Sequence, residues 1–265
     1  MDTKMEAPWE ALHALDRLVE IVAIEGHGRF FMKPFFQAGQ TVLFQGDSVT
    51  DCGRDRGAGA RLFRRPLSSD GGTGCGRGKG AEDLSTGYPG KVAQQYHALF
   101  PGNGVRFVNR GVSGDRARNL AERYEADFRA VRPDFVSILI GINDTWRRYD
   151  QNDPTTGEAF AQAYRTVLTR LRSDFPQVKI MLIEPFLLPA DPGKAAWRED
   201  LDPKIQQVRA LAHEFADYYL PLDGILNALS ICPYDARALA ADGVHPTDCG
   251  HTVIAWAYLK TLGIL

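Results

Sequence analysis

The sequence predicts an α/β protein of three layers, α/β/α, in which helices cover both faces of a central parallel β-sheet. Short apolar segments typical of buried strands alternate with helical segments of ten or more residues from Tyr88 onward. Strands separated by helices of this length are expected to be parallel and buried on both faces. The chain has 265 residues, of which 44% are hydrophobic, enough for one large core. No repeat or linker divides the series, so we predict a single domain over residues 41–265.

An N-terminal arm, residues 1–40, precedes this predicted domain. Residues 10–22 within it, EALHALDRLVEIV, repeat apolar positions at helical spacing and predict an amphipathic helix. The domain looks complete without this helix. Its apolar face must therefore be buried on the domain or on another subunit.

The predicted first strand, 41–45, is followed after a short motif by an excursion at 54–86 that is rich in glycine and arginine. It contains eight glycines, seven basic residues and four acidic residues, and it lacks apolar periodicity. Its TGCGRGKG run fails the phosphate-loop template, because Thr73 and Gly80 occupy positions that need glycine and Ser or Thr. We predict a long loop, and a homo-oligomer in which the arm, this excursion or both contribute to the subunit contact. A disordered loop is the alternative.

The remaining elements alternate regularly after the excursion. The patterns predict helices at 88–100, 116–131, about 155–173, 203–216 and 247–262, and strands at 105–110, 134–141, 179–185 and 217–223.

The composition excludes several classes of protein. The net charge of −2 gives no basic excess for nucleic acid, and no run approaches the roughly 18 apolar residues of a membrane span. The start of the chain does not resemble a signal peptide. The cysteines form no C-x-x-C pair and are too few for a disulfide scaffold, so reduced thiols and a cytoplasmic location are expected. We predict neither a nucleic acid nor a membrane as a partner.

Polar side chains stand where the first strand ends, in the run Gly46-Asp47-Ser48. Ligands of open parallel sheets bind beyond the carboxyl ends of the strands. Ser48 is therefore a candidate nucleophile at the start of the first helix. The alternative is that Ser48 only caps this helix.

A candidate base for Ser48 lies in the loop after the last strand. His245 follows Asp242 by three residues, so the aspartate can reach the Nδ1 atom of the imidazole and leave Nε2 for the serine. A D-x-x-H run can also be an ordinary surface turn, which stays open here. His251 is six positions beyond His245, but no third ligand accompanies the two histidines, and zinc is not expected.

Two further segments follow strands at the same predicted edge. NRGVSGD follows the second strand and GIND the third. The N–H groups of Ser48 and Gly114 and the side-chain amide of Asn143 can stabilise an oxyanion. Trp146, just beyond, can line the substrate pocket or serve only in packing.

Taken together, these motifs resemble the SGNH/GDSL hydrolase superfamily. The strings GDSVTDCGR, LSTGYPGKVAQQY, VNRGVSGD, VSILIGINDTWRRYD and DGVHPTDCGH are especially similar to its acetylxylan-esterase-like branch. The resemblance covers about 41–262. The excursion is longer than is usual in that branch, and the arm is an addition to it.

The resemblance implies a flavodoxin-like three-layer fold and no metal or organic cofactor. It further implies Ser48 as the nucleophile, His245 as the base and Asp242 as the group that orients the base. Ser48, Gly114 and Asn143 would supply the oxyanion donors.

The leading functional hypothesis is a serine esterase that removes small acyl groups, with acetyl expected, from carbohydrate. The carbohydrate preference comes only from the resemblance. One alternative is a lysophospholipase or thioesterase that acts on longer acyl chains. Another is a carbohydrate-binding or scaffold protein that keeps the fold without catalysis.

Overall fold

The computed structural model describes residues 33–54 and 83–265. The predicted helix at 10–22 and most of the predicted excursion lie outside these residues. The described chain is built on one five-stranded parallel sheet. Its strands are β1 (Thr41–Gly46), β2 (Arg106–Asn109), β3 (Phe135–Leu139), β4 (Lys179–Ile183) and β5 (Tyr218–Leu220).

The strand order is β2-β1-β3-β4-β5, with every neighbouring pair parallel. The sheet is therefore of the flavodoxin-like order, in which ligands bind where the chain switches direction between β1 and β3. Gly46 at the end of β1 lies opposite Leu139 at the end of β3. Ser48 therefore leaves the sheet at this switch point.

Nine α-helices connect and cover the strands in the described part of the chain. They are α1 (Ser48–Asp51), α2 (Tyr88–Leu99), α3 (Ala117–Glu122), α4 (Ile142–Asp150), α5 (Gly157–Asp174), α6 (Arg198–Phe215), α7 (Leu222–Ile231), α8 (Ala236–Leu239) and α9 (Asp248–Thr261).

Alternation along the strands divides the core into two layers. Phe44 on β1 packs with residues of α2 and α9, whereas the neighbouring Leu43 packs with residues of α3, α5 and α6. Successive side chains of a strand point to opposite faces, and each face here meets its own set of helices. The predicted three-layer α/β/α fold is confirmed.

Two predicted helices differ from the observed ones. The helix predicted at 116–131 is divided into two elements. Helix α3 ends at Glu122, and a π-helical turn follows at Glu125–Arg129, where Ala130 N–H donates to Glu125 O. The π turn directs Asp127 to the buried Gln45 amide, at 3.0 Å. The helix predicted from Pro203 begins five residues earlier, at Arg198, so the proline is interior rather than at the first turn.

The predicted series does not include helices α4, α7 and α8. Helix α4 starts inside the GIND motif, with Gly141 as its N-cap residue at φ 132°. This backbone conformation suits glycine, so the same residue marks both a turn and a helix start.

The chain before the predicted domain boundary also joins the core. Phe36 is buried, its N–H donates to the Tyr96 hydroxyl at 3.0 Å, and that hydroxyl lies 3.1 Å from Phe36 O. Phe35 packs edge-on against Phe36. The boundary at residue 40 stays a prediction, but a deletion of the arm must spare these two rings.

The backbone at Gly46 has no room for a side chain. A Cβ atom at this position would overlap the carbonyl oxygen of Leu139 and Oγ1 of Thr50. The absence of a side chain therefore lets α1 fold back against the end of β3. A close approach of backbone to backbone is therefore the reason for a glycine at this position.

The first prediction concerns this close approach. Gly46→Ala should lower the free energy of unfolding by about 1–3 kcal/mol or more, because the methyl group overpacks a fixed backbone oxygen. Gly224→Ala in α7 is the matched control. Among the described residues, no atom outside the adjoining helix backbone lies within 4 Å of its added Cβ, so it should be neutral or stabilising by up to about 1 kcal/mol. Urea unfolding measures both, and equal stability of the two variants would contradict the packing argument.

Candidate active site

Ser48 is the first residue of α1, two positions beyond the end of β1. The N-cap residue of this helix is Asp47, whose Oδ1 accepts a hydrogen bond from Val49 N–H at 3.0 Å. The alternative in which Ser48 is itself the cap is therefore wrong. The serine side chain instead lies 3.0 Å, Oγ to Nε2, from His245.

The D-x-x-H segment folds around the carboxylate of Asp242. Oδ1 accepts hydrogen bonds from the backbone N–H groups of Val244 and His245, at 2.9 and 2.7 Å. Oδ2 lies 2.8 Å from His245 Nδ1. A carboxylate can only accept, so Nδ1 carries the hydrogen and Nε2 is left to accept from Ser48. The turn is on the surface, as the alternative required, and it also aims the imidazole.

The electrostatic interaction between Asp242 and His245 suits the imidazole to act as a base. Its hydrogen bond to Asp242 raises the pKa of His245, against the opposing effect of burial. Burial alone would raise the pKa of Asp242, but the hydrogen bonds from His245 and Val244 hold that pKa well below its usual range. Asp242 is thus ionised at neutral pH and stabilises a positive imidazole.

Asn143 and Gly114 lie on two segments that are joined at this edge. Asn143 is buried, and its Nδ2 donates to the carbonyl of Asp115 at 3.1 Å. An amide nitrogen has two hydrogens, so one remains for another acceptor. Gly114 precedes Asp115 in a turn with φ 88°, a conformation that favours glycine.

The turn that carries Gly114 is tied to the serine helix. Both the N–H and the hydroxyl of Ser113 donate to Oδ2 of Asp51 on α1, at 3.1 and 2.8 Å. Arg54 donates to Gly111 O at 3.0 Å from the same side. These bonds fix the turn after β2 relative to Ser48.

Trp146 lies beside the imidazole. Its ring centroid is 5.6 Å from that of His245 and 5.1 Å from that of Trp197. The residue therefore packs against Trp197 and flanks His245 at the same time. Its role in a substrate pocket stays a prediction.

Two neighbours of the site were not identified from the sequence. Trp197 and Lys194 belong to a 3-10 turn, Pro192–Trp197, between β4 and α6. Lys194 Nζ donates to Asp242 O at 2.6 Å. Neither residue follows a strand end or a recognisable motif, so only the packing of this turn reveals them.

His251 is bonded away from the imidazole of His245. Its Nδ1 accepts from Tyr88 N–H at 3.2 Å, and its Nε2 lies 3.3 Å from Cys52 Sγ. Among residues 33–54 and 83–265, no group of three or more His, Cys, Asp or Glu side chains could hold a metal ion. Within those same ranges, no helix is long and apolar enough to cross a membrane.

A parallel sheet of this order, with a serine, a histidine and an aspartate linked at its switch point, defines a hydrolase of the serine type. The sequence matches the GDSL-like lipase/acylhydrolase family over residues 44–253. The chain belongs to this family and is a carboxylic ester hydrolase. The predicted similarity to its acetylxylan-esterase-like branch is confirmed.

Several characterised relatives are similar over most of the chain. An acetylxylan esterase from Geobacillus stearothermophilus is 36% identical over 228 residues, which are 85% of this chain and 95% of the relative. The crystal structure of an acetylxylan esterase from that organism has a TM-score of 0.70 and 33% identity, covering 88% of this chain and 97% of that one. An alpha/beta hydrolase from the metagenome of Lake Arreo, Spain, has a TM-score of 0.70 and 29% identity, covering 88% and 99%.

The second prediction concerns the buried carboxyl next to Ser48. Burial raises the pKa of Asp47 from 3.8 to about 7, although the Val49 N–H and the charge of His245 oppose the rise. The stabilising contribution of the protonated form is complete below pH 3.8 and is lost as the pH rises to about 7. Asp47→Asn cannot ionise and keeps an oxygen for Val49.

The unfolding free energy of Asp47→Asn, relative to the parent, should therefore increase over this interval by up to about 1.4 kcal/mol per pH unit. Urea unfolding at several pH values between about 4 and about 8 measures the difference. Asp202→Asn, an exposed carboxyl on α6, is the control and should show a much smaller dependence. A difference for Asp47→Asn that is constant with pH would refute the assignment.

Proposed function

We propose that this protein is a serine esterase that removes small acyl groups, chiefly acetyl, from carbohydrate. The observation that carries the proposal is a pair of linked hydrogen bonds. Ser48 Oγ lies 3.0 Å from His245 Nε2, and His245 Nδ1 lies 2.8 Å from Asp242 Oδ2. The carbohydrate and acetyl preferences come from the similarity to acetylxylan esterases over most of the chain.

In the proposed first step, Ser48 Oγ attacks the carbonyl carbon of the ester. His245 Nε2 takes the hydroxyl proton, and Asp242 stabilises the positive imidazole that forms. The N–H groups of Ser48 and Gly114 and the free hydrogen of the Asn143 amide stabilise the oxyanion. His245 then gives the proton to the sugar oxygen as its bond to the acyl carbon breaks, so the sugar leaves as an alcohol and an acyl-Ser48 ester remains.

In the second step, water hydrolyses the acyl-enzyme by the same route. His245 takes a proton from water, hydroxide attacks the acyl carbon, and the proton returns to Ser48 as the acid leaves. No metal or organic cofactor takes part in this proposal, because the attacking group, the base and the oxyanion donors all come from the chain.

The relatives support these roles at three positions. Solved structures of the Geobacillus stearothermophilus esterase include catalytic mutants in which a serine, an aspartate or a histidine is replaced by alanine. The aspartate precedes the histidine by three positions in that protein, which is the spacing of Asp242 and His245 here.

The third prediction separates the three side chains. Ser48→Ala and His245→Ala should each reduce kcat by up to roughly 10⁶-fold with the fold intact, since each removes an essential partner of one step. Asp242→Asn should leave KM nearly unchanged and impair kcat, because the imidazole loses its acceptor at Nδ1. Steady-state kinetics with p-nitrophenyl acetate test all three. If Ser48→Ala kept activity within about tenfold of the parent, Ser48 would not be the nucleophile.

The fourth prediction concerns the acyl group. The rate constant kcat/KM should be highest for p-nitrophenyl acetate, lower for butyrate and lowest for octanoate. Acetylated xylo-oligosaccharides should be deacetylated in the same preparation. A large preference for octanoate would favour a lysophospholipase or thioesterase. Folded protein that hydrolyses none of these esters would favour a non-catalytic carbohydrate-binding or scaffold role.

We further propose a homo-oligomer in which the arm, the 54–86 excursion or both contribute to the subunit contact. The apolar helical pattern of residues 10–22 supports this proposal, since such a face needs a partner surface. The division into an arm at 1–40 and a hydrolase domain at 41–265 is part of the same proposal.

The described cysteines are free thiols, which supports the proposed cytoplasmic location.

The fifth prediction tests the assembly. Deleting residues 1–32, which spares Phe35 and Phe36 in the core, should shift the sedimentation profile to smaller species. Activity on acetylated oligosaccharide should fall more than activity on p-nitrophenyl acetate. Full-length protein that sediments as a monomer at micromolar concentration would refute the assembly, and the arm would then have to pack on its own domain.

A further inference from the structure

Lys194 reaches the aspartate of the site from a separate element. It lies in the 3-10 turn Pro192–Trp197 that follows β4, whereas Asp242 lies in the loop before α9. The Nζ atom donates to the backbone carbonyl of Asp242 at 2.6 Å and lies 3.7 Å from Oδ2 of the same residue. That oxygen also contacts His245 Nδ1, so one carboxylate atom separates the ammonium from the imidazole.

The ammonium is held on its other sides as well. Nζ lies 5.3 Å from the ring centroid of Trp146 and 5.6 Å from that of Trp197, both within range of a cation–π interaction. Asp191 Oδ2 is 3.4 Å away. The side chain is only 13% exposed. A lysine with this many fixed neighbours has one orientation, unlike an ordinary surface lysine.

We propose that Lys194 is a positioning residue of the esterase site. Its ammonium holds the Asp242–His245 turn against the Trp146–Trp197 pair and keeps a fixed positive charge beside the histidine. The proposal rests on the proposed function for its catalytic meaning. Its structural and electrostatic content concerns the imidazole alone and can be measured without turnover.

The charged and titratable groups around the imidazole come from four elements. Asp242 on the same loop and Asp47 before α1 raise the pKa of His245, whereas Lys194 lowers it. His251 on α9 also interacts electrostatically with His245. Lys194 therefore opposes the two carboxylates. Its charge limits the rise in the pKa of His245, which must be neutral to accept the proton of Ser48.

The charge of Lys194 and its hydrogen bond to the Asp242 carbonyl would change the pKa of His245 in opposite directions, and the effect of the charge is the larger one in this proposal. If Lys194 only held Asp242 in place, its removal would weaken the Asp242–His245 hydrogen bond and lower that pKa. If its positive charge matters, its removal favours the imidazolium and raises that pKa. The direction of the change thus separates an electrostatic role from mere structural support.

The decisive experiment is an NMR titration of the His245 imidazole in ¹⁵N-labelled full-length protein. The parent is compared with Lys194→Met and Lys194→Arg. The resonance is assigned by its loss in His245→Ala. In Lys194→Met, the pKa of His245 should be higher than in the parent, and the difference should shrink in about 1 M NaCl. Lys194→Arg keeps the positive charge, so the pKa of its His245 should be closer to that of the parent than to that of Lys194→Met.

Lys179→Met is the matched control. Lys179 pairs with Asp217 at the opposite end of β4 from the site, and its loss should leave the titration unchanged. An unchanged or lower pKa in Lys194→Met would overturn the proposal. So would a rise in Lys194→Arg equal to that in Lys194→Met, because charge would then not be the cause.

Kinetics supply an independent readout. Lys194→Met should lower kcat/KM for p-nitrophenyl acetate at its plateau by about 10-fold, and Lys194→Arg should restore most of it. The acidic limb of the pH profile should move to higher pH in Lys194→Met only. If the proposed function were wrong, Ser48→Ala would still hydrolyse p-nitrophenyl acetate. The NMR titration would still decide the role of Lys194 in that case.

Discussion

The close approach of Gly46 to the carbonyl of Leu139 fixes the position of Ser48 at the end of the sheet. β1 and β3 are in parallel register to their last residues, so Gly46 lies opposite Leu139 where the chain leaves the sheet. Only a residue without a side chain fits there, and the following helix begins at once with Ser48. The histidine loop, the turn after β2 and the start of α4 are then arranged around that serine.

Two carboxyl groups near Ser48 are given opposite properties by their surroundings. Asp47 is fully enclosed and accepts a backbone N–H, so burial dominates and its pKa rises to about 7. Asp242 is partly exposed and accepts from two backbone N–H groups and the imidazole, so its pKa is depressed. Separation of this kind assigns different tasks to residues of one chemical type. Asp242 supplies the negative charge next to His245, while Asp47 mainly caps the serine helix.

Much of the fold and site could be predicted because parallel sheets place their reactive groups at strand ends. Ser48 follows an apolar strand, and the i to i+3 spacing of Asp242 and His245 suffices for a turn closed by the carboxylate. Helix α4 could not be predicted, because its Gly141 cap and polar composition are equally typical of a turn. The π turn at Glu125–Arg129 brings Asp127 to Gln45, a partner 82 residues away that no local pattern identifies. Lys194 and Trp197 approach the site only through tertiary packing, which no periodic pattern encodes.

The most direct test of the claim that Ser48 is the nucleophile is to identify the atom that an organophosphate modifies irreversibly. Diethyl p-nitrophenyl phosphate should form one bond between Ser48 Oγ and phosphorus, with release of p-nitrophenolate. Mass spectrometry of peptides should then place one diethylphosphoryl group per chain on Ser48, in proportion to the activity lost. His245→Ala should react far more slowly. Complete loss of activity with the label on another residue, or with Ser48 unmodified, would contradict the account.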